Sequence, residues 1–252
     1  MNILLLGHNG YLGDYIKNNF ECDILPERNV YNNRKKYDYV LNCIGKPDVD
    51  FCEKNPETSL YSNCEVVLDI IKYYPESKII NFSSYYCYDD ENSCNEQSNV
   101  TTQYNYMKHK IMGENHNRNG LNLRIGKLFG NKNKEQGKFF DYIIKNDNLQ
   151  CDGVFFNPCS VYIIKKVLQY EFKNKNLQGI YNCANDGCPS HYEFAEFVTR
   201  FLQNKTVNRI EKLKRSFSNY GRFYMNLEKL KKIIDLDYWQ CDVEKYFGSV
   251  DI

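Results

Sequence analysis

The feature that most constrains the fold is a glycine-spaced turn between a short apolar run and a helical pattern. Residues MNILLLG predict a buried strand that ends at Gly7, and Gly10 and Gly13 follow at intervals of three residues. The first glycine allows a tight bend, the second lets the backbone approach a pyrophosphate, and the third lets helix and strand pack closely. The helix N-terminus adds N–H groups and a partial positive charge. We therefore predict a dinucleotide-binding loop made of Gly7, His8, Asn9, Gly10, Tyr11, Leu12 and Gly13.

Further strands alternate with helical patterns along the chain. The predicted strands after the first are 22–25, 39–44, 78–82, 121–125 and 179–183. This alternation is typical of an α/β fold, a Rossmann-type doubly wound parallel sheet with helices on both faces. Ligands of such sheets bind at the carboxyl ends of the strands. The cofactor is therefore expected to contact residues just past the third strand, namely Cys43, Ile44 and Gly45.

Beyond residue 130 the pattern becomes less regular, which favours a smaller α/β substrate-binding lobe built from returning segments. We assign 1–132 and 159–185 to the dinucleotide-binding domain, and 133–158 and 186–252 to the substrate-binding lobe. Ser190 is predicted to cap a helix, because Glu193 stands at the position that completes a capping box.

Charge and cysteine usage exclude several classes of protein. The chain has 33 Lys and Arg against 32 Asp and Glu, which gives no reason to expect nucleic acid or a membrane as a partner. No export signal is visible, and the eleven cysteines contain no C-x-x-C pair, so we expect reduced thiols and a cytoplasmic location. The four histidines lack metal-ligand spacing; we expect surface or loop histidines and no metal site.

The segment YNYMKHK contains two overlapping Tyr-x-x-x-Lys pairs, Tyr104 with Lys108 and Tyr106 with Lys110. In a helix, each pair puts a phenol and an ammonium on one face. At ~4 Å and an effective dielectric near 20, the ammonium contributes roughly 4 kcal/mol, enough to lower the tyrosine pKa by up to about 3. Such a phenol suits proton transfer to a ketone. With many tyrosines and lysines in the chain, a solvated helix face is an equally good interpretation of the pair alone.

The residues around Tyr106 and Lys110 resemble a known family motif, whereas those around Tyr104 and Lys108 do not. Tyr106 to Glu114 resembles the Tyr-Gly-x-x-Lys-x-x-Gly-Glu segment of extended short-chain dehydrogenases/reductases, and most closely that of the dTDP-4-dehydrorhamnose reductase family. Ser83-Ser84-Tyr85-Tyr86 is similar to the family's Ser-Thr-Asp-Tyr segment. Four further stretches resemble family motifs in the same order: Asn42–Glu53, Asn63, Leu123–Gly130 and Gly179–Ala195, with Trp239 near the end.

The resemblance implies NAD(P)H-dependent reduction of the C4 ketone of a nucleotide-linked 4-keto-6-deoxy sugar. By the family's pattern, Tyr106 donates the proton, Lys110 lowers its pKa and binds the nicotinamide ribose, and Ser84 polarises the carbonyl. The implied substrate-binding residues are Asp50, Ser84, Tyr85, Tyr86 and Lys127. The expected partners are the sugar nucleotide and, as an option, a second copy of the chain in a homodimer.

The cofactor preference and the exact activity stay open. Glu27 and Arg28 stand side by side after the second strand, where an acid favours NAD and an arginine favours NADP; Arg28 tips the expectation slightly to NADP. Tyr85 replaces the family's aspartate and Lys127 its tryptophan, which removes a negative charge and replaces an aromatic surface with a cation beside the expected sugar. Two alternatives therefore remain: a cofactor-binding regulatory subunit without reductase activity, and a bifunctional epimerase/reductase.

Overall fold

A computed structural model describes most of the chain: residues 1–25, 35–88, 93–101, 103–135, 138–211 and 224–248. The chain forms two compact units. The first unit comprises Met1–Asp89, Asn99–Arg124 and Glu171–Tyr181, and the second comprises Asp90–Ser98, Ile125–Tyr170 and Asn182–Ile252. The functional division into a dinucleotide-binding domain and a substrate lobe stays a prediction.

Helices and strands alternate through the first half of the chain, as the sequence predicted. In order they are β1 Ile3–Leu6, α1 Tyr11–Asn19, β2 Asp23–Ile24, β3 Tyr39–Asn42, α2 Val49–Lys54, α3 Pro56–Leu60, a π-helical turn Tyr61–Glu65, α4 Val66–Tyr73, β4 Lys78–Ser84, a 3-10 turn Tyr85–Cys87, β5 Ser93–Cys94, α5 Asn105–His116 and β6 Leu121–Ile125.

The second half of the chain has shorter strands. Its elements are β7 Lys127–Phe129, α6 Lys138–Lys145, β8 Asn148–Asp152, β9 Pro158–Ser160, α7 Val161–Asn174, β10 Gly179–Cys183, α8 His191–Thr199, β11 Thr206–Ile210, β12 Tyr224–Met225, α9 Glu228–Lys231 and α10 Trp239–Phe247.

A six-stranded sheet in the order β10-β6-β4-β3-β1-β2 forms the centre of the fold. Strand β1 pairs in parallel with β2 on one side and with β3 on the other. The chain therefore reverses its direction of winding at β1, and the carboxyl ends of β1 and β3 flank the switch point where ligands of such sheets bind. The predicted Rossmann-type sheet is confirmed, and the glycine turn follows β1 at this point.

The strands at the switch point lie in the core of the first unit. All four residues of β1 and of β3 are buried, as continuous apolar runs in parallel sheets predict. Three buried asparagines cross the sheet: Asn42 donates to Asn81 at 3.0 Å, and Asn81 donates to Asn122 at 3.2 Å. Each amide thus finds a polar partner inside the core, which removes the cost of an unpaired buried group.

The second unit has a separate aromatic core. Phe129, Phe140, Phe156, Phe194 and Trp239 are all buried in it. The predicted capping box at the start of α8 is confirmed: the Ser190 side chain accepts from the Glu193 N–H, and the Glu193 carboxylate accepts from the Ser190 N–H. None of the helices in the described part of the chain combines the length and the apolar character that a membrane crossing requires.

Candidate active site

The glycine turn has a shape that only glycine permits at two of its positions. Gly7 has a φ of +74°, in the left-handed region. A Cβ on Gly7 would lie 2.6 Å from the carbonyl carbon of Cys43, and one on Gly13 would lie 2.2 Å from the Gly7 oxygen. Gly10 is the N-cap of α1 and supplies no side-chain hydrogen bond to the first turn. The turn therefore packs tightly on the end of β3, with a helix N-terminus whose cap carries no side chain, and this arrangement fits a pyrophosphate group.

Other residues of the predicted loop differ in exposure. Asn9 is exposed, and His8 and Tyr11 are partly exposed. Leu12 is only 6% exposed, so its side chain packs in the core and only its backbone is suited to contact a cofactor. Arg28, on which the expected preference for NADP depends, lies outside the described residues.

The segment after β3 extends toward the predicted catalytic lysine. The Ile44 N–H donates to the Asn42 side chain at 3.1 Å, which turns the chain out of the strand. A Cβ on Gly45 would lie 3.2 Å from Lys110 Nζ. The structure therefore brings two separately predicted groups, Cys43 to Gly45 and Lys110, to one place in the first unit.

The three predicted catalytic side chains come from β4 and α5. Ser84 is the last residue of β4, and its side chain accepts from the Tyr86 N–H at 3.2 Å. The Ser84 hydroxyl acts on the Tyr106 phenol, whose pKa it lowers. Lys110 follows Tyr106 by one helical turn, and its Nζ donates to the Phe82 carbonyl at 2.9 Å. A hydroxyl, a phenol and an ammonium thus lie within one small region of the first unit.

Burial separates the two Tyr-x-x-x-Lys pairs that the sequence could not separate on its own. Tyr106 is 5% exposed and Lys110 is 7% exposed, whereas Lys108 is exposed and Tyr104 is partly exposed. Because a low dielectric strengthens electrostatic interactions, only the buried pair can strongly perturb its own chemistry. The Tyr106/Lys110 pair is therefore the candidate.

The pKa of Tyr106 moves opposite to the sequence expectation. Burial raises the pKa well above the ordinary value, and the effect of the Ser84 hydroxyl opposes this rise only in part. Burial also lowers the pKa of Lys110 to about 8, against the opposing effect of Glu114. Desolvation disfavours the charged form of each group, and the expected lowering of the Tyr106 pKa by Lys110 is not found. The phenol is consequently held protonated at neutral pH, as a proton donor must be.

A π-helical turn forms hydrogen bonds with the backbone of Lys46, in the segment that follows β3. The apolar spacing of Leu60, Val67 and Ile70 is typical of one continuous helix, but α3 and α4 are separated by the turn Tyr61–Glu65. From this turn, Asn63 accepts from the Lys46 N–H at 3.1 Å and donates to the Lys46 carbonyl at 3.2 Å. Helix α5 packs so closely here that a Cβ on Gly113 would lie 2.6 Å from the Asn63 carbonyl oxygen. Asn63 matched a family asparagine in the sequence, but its clamping contacts could not be predicted.

The remaining predicted substrate residues of the first unit differ in accessibility. Asp50 is exposed in the first turn of α2. Tyr85 and Tyr86 lie on the 3-10 turn with stacked rings, 4.5 Å between centroids. Tyr85 is 3% exposed, whereas Tyr86 is partly exposed.

Lys127 belongs to a hydrogen-bonded series within the second unit. Its Nζ lies 3.0 Å from His191 Nε2, and His191 Nδ1 lies 3.0 Å from the Asp152 carboxylate. Nζ also lies over the rings of Phe139 and Phe156, at 5.1 and 4.9 Å from their centroids. Two aromatic faces favour a cation. An ammonium at Lys127 then donates to a neutral imidazole, whose Nδ1–H donates to Asp152.

The expectation that every histidine lies on the surface or in a loop is wrong for two of them. His191 is 2% exposed at the start of α8, and His109 is 5% exposed within α5, where its Nδ1 lies 2.9 Å from the Ser59 hydroxyl. Both are buried polar side chains with hydrogen-bond partners. Within the described ranges, no group of three or more His, Cys, Asp or Glu residues could hold a metal ion.

Comparison with known proteins gives a consistent picture. The family model described as RmlD substrate binding domain matches residues 1–250. A dTDP-4-dehydrorhamnose reductase from Clostridium acetobutylicum has a similar structure, with a TM-score of 0.84, 20% identity and full coverage of both chains. The reductase of the same name from Bacillus anthracis, in complex with NADP, has a TM-score of 0.84 at 17% identity, with 99% of each chain covered. The enzyme from Yersinia enterocolitica has a TM-score of 0.81 at 20% identity, covering 98% of this chain and 99% of that one.

At these identities the structural likeness establishes the fold, whereas the family match covers nearly the whole sequence. No curated protein sequence matches the chain significantly. The predicted resemblance and the predicted oxidoreductase class are confirmed at the level of the family. The chain belongs to the RmlD substrate binding domain family, and it shares its fold with dTDP-4-dehydrorhamnose reductases of known structure.

Proposed function

We propose that the chain reduces the C4 ketone of a nucleotide-linked 4-keto-6-deoxy sugar, with Tyr106 as the proton donor. The observation that supports this best is the burial of the Tyr106 phenol, on which the Ser84 hydroxyl acts, with the buried Lys110 one turn further along α5. A ketone oxygen placed at these two hydroxyls would accept hydrogen bonds from both. That is the geometry required of a general acid next to an electrophilic group.

Each side chain has a distinct role in this proposal. When bound, a reduced nicotinamide supplies the hydride that adds to C4 of the sugar. Ser84 polarises the carbonyl, and Tyr106 Oη gives its proton to the carbonyl oxygen, so that the product is the alcohol. The Lys110 ammonium binds the nicotinamide ribose and stabilises negative charge that develops on the phenol oxygen during proton transfer.

The cofactor is proposed to bind at the glycine turn, through Gly7 to Gly13, with Cys43, Ile44 and Gly45 alongside. The close packing of this turn on β3 and the glycine cap of α1 support that proposal. NADP is preferred slightly over NAD, on the strength of Arg28 and of the NADP complex of the Bacillus anthracis reductase. Binding titrations with both cofactors test the preference directly.

Substrate contacts are assigned to Asp50, Ser84, Tyr85, Tyr86 and Lys127. The partly exposed Tyr86 ring is better suited than Tyr85 to stack on a base or sugar. Lys127, held as a cation between two phenyl rings and a neutral imidazole, suits an anion such as a diphosphate or a carboxylated sugar. Lys127→Met should raise KM for an anionic substrate about tenfold, whereas Lys127→Arg should keep most of the affinity; equal KM values for all three proteins would remove Lys127 from the site.

Tyr106→Phe tests the proton donor. Removing one positioned general acid should lower kcat by roughly 10²–10⁴-fold, while the Kd for NADPH stays nearly the same. Tyr104→Phe is the matched control, since it deletes the same hydroxyl from the other Tyr-x-x-x-Lys pair, and it should retain activity. If Tyr106→Phe keeps most of its rate, Tyr106 does not donate the proton.

A substrate panel separates this function from its alternatives. Consumption of NADPH or NADH with dTDP-, UDP-, GDP- or CDP-linked 4-keto sugars supports the reductase. Cofactor binding without turnover on any of them supports a regulatory subunit. Deuterium from solvent at the carbon next to the ketone, in the reduced product, would indicate an additional epimerase step. A cytoplasmic location and a homodimer remain predictions from the sequence.

A further inference from the structure

A buried ion pair involves α5, the helix that carries the candidate catalytic residues Tyr106 and Lys110. Arg124 Nη2 donates to Glu114 at 2.7 Å and Arg124 Nε donates to it at 3.0 Å. The Ser83 hydroxyl donates to the same carboxylate at 2.5 Å. Glu114, Arg124 and Ser83 are 4%, 3% and 2% exposed. The Glu114 carboxylate is therefore fixed from two strands, β4 and β6, inside the first unit.

Stability alone is a weak explanation for this pair. Taking two charges out of water costs about as much as their attraction returns, and apolar replacements of similar size are often neutral or stabilising. Arg124 also keeps one buried nitrogen, Nη1, with no hydrogen-bond acceptor among the described residues, although the Tyr88 ring lies 4.8 Å from its guanidinium carbon. The arrangement thus retains an imperfectly satisfied charge, which suggests a role beyond packing.

The position of Glu114 relative to the catalytic side chains supplies that role. Glu114 follows Lys110 by four residues on α5, so the two side chains lie on the same face of one helix. Ser83, which donates to Glu114, directly precedes Ser84 on β4. A single carboxylate is therefore linked to the helix that carries Tyr106 and Lys110 and to the strand that carries Ser84.

We infer that Glu114 is a positioning residue for the reaction: its carboxylate, fixed by Arg124 and Ser83, keeps the buried Lys110 side chain in its cationic form. This inference rests on the role proposed above for Lys110. In this role Glu114 acts through Lys110 and does not contact the substrate.

The charges that face Lys110 support the inference. Burial is the main influence on Lys110 and lowers its pKa to about 8, while the carboxylate of Glu114 raises the pKa more than any other group does. The remaining influences come from Cys43, after β3, and Cys52, on α2; burial raises the pKa of both thiols, so both are uncharged at neutral pH. Tyr106 is likewise held neutral. Glu114 is the carboxylate that opposes the loss of the Lys110 proton.

The test compares charge removal with charge retention. In Glu114→Gln/Arg124→Gln both buried charges are removed together, which avoids an unpaired Arg124. Glu114→Asp retains the charge. In protein labelled with ¹³C-lysine, the Lys110 Cε resonance is identified as the one missing from Lys110→Met, and its titration midpoint is read directly. Glu171→Gln is the matched control, because it removes another fully buried, ion-paired carboxylate of the first unit that does not act on Lys110.

We expect the Lys110 midpoint to fall by about one pH unit in Glu114→Gln, from Coulomb's law at helical i,i+4 spacing less some screening. The fall should be smaller in the double variant, because the Arg124 charge that repels the ammonium is removed as well. The midpoint should stay unchanged in Glu114→Asp and Glu171→Gln. The alkaline limb of the kcat profile should move by the same amount. An unchanged midpoint in folded Glu114→Gln overturns the inference; if that variant does not fold, the overturning result is an unchanged midpoint in the double variant. Absence of reductase activity in the wild type would refute the proposed function alone, because the resonance titrates without turnover.

Discussion

Lys110→Met should change how the stability of the protein depends on pH, because Lys110 is buried as a charged group. Its pKa in the fold is about 8, against 10.5 for an ordinary lysine. Between these values the folded protein has released the proton while the unfolded chain still holds it. The unfolded state then binds more protons, so the free energy of unfolding of the wild type rises with pH in this interval. The methionine variant lacks this contribution.

The size of the effect follows from the two pKa values. Each pKa unit corresponds to about 1.36 kcal/mol, so a buried ammonium costs the wild type roughly 3 kcal/mol at pH 7. Most of that cost disappears as Lys110 loses its proton. Between pH 8 and pH 10, the wild type should gain about 2 kcal/mol of stability relative to Lys110→Met. Lys110→Met also loses the hydrogen bond to Phe82, which lowers its free energy of unfolding by a nearly constant amount at each pH. The test therefore uses the change of the stability difference with pH and not its absolute value.

Urea unfolding at pH 8, 9 and 10 measures this difference. Lys108→Met is the control, since Lys108 is an exposed lysine on the same helix, and its difference from the wild type should stay constant over the range. Thiols and other phenols titrate in all three proteins and cancel in the comparison. If the wild type and Lys110→Met keep a constant difference from pH 8 to pH 10, Lys110 is not a buried cation, and both its role beside Tyr106 and the role of Glu114 lose their basis.

Three further substitutions test separate parts of the structure. Gly13→Ala should destabilise the protein by about 3 kcal/mol and abolish cofactor binding, because its Cβ would lie 2.2 Å from the Gly7 oxygen; calorimetry and cofactor titration check both effects. Ser84→Ala should lower kcat by roughly 10²–10³-fold with little change in cofactor Kd, since it removes one hydrogen bond to the developing oxyanion. Ser190→Ala should cost about 1 kcal/mol through loss of the α8 cap, measured by denaturant unfolding, without changing kcat.

Local sequence signals sufficed for the part of the fold that holds the candidate cofactor site. The run ILLL, the glycine spacing and the helix after it are all local, so β1, the turn and α1 could be predicted with nearly correct bounds. The π-helical turn could not, because the apolar spacing of Leu60, Val67 and Ile70 fits an unbroken helix. The turn accompanies the close approach of Gly113, which is 50 residues away in sequence from Asn63. Tertiary packing of this kind leaves no local pattern.

The second unit was harder to predict for a different reason. Strands β8 and β11, which pair in parallel, have the sequences NLQCD and TVNRI, and their polar residues hide the strand pattern. The candidate residues of the second unit are also far apart in sequence. Asp152 and His191 are separated by 39 residues, and a single histidine in a sequence does not indicate which carboxylate it contacts. The same isolation explains why His191 was assigned to the surface, although it is buried against a carboxylate.

Burial of the Tyr106/Lys110 pair sets the protonation state in which the proposed reaction begins. A phenol with a lowered pKa would serve equally well to take a proton from an alcohol or to give one to an alkoxide. In this protein the pKa of Tyr106 is raised and that of Lys110 is lowered, because the same low-dielectric surroundings disfavour both charged forms. The phenol therefore begins the reaction with its proton, which reduction of a ketone consumes and oxidation of an alcohol would have to remove first. The proton becomes easy to transfer only when negative charge develops on a substrate oxygen within reach of Tyr106, and addition of a hydride to a ketone produces that charge.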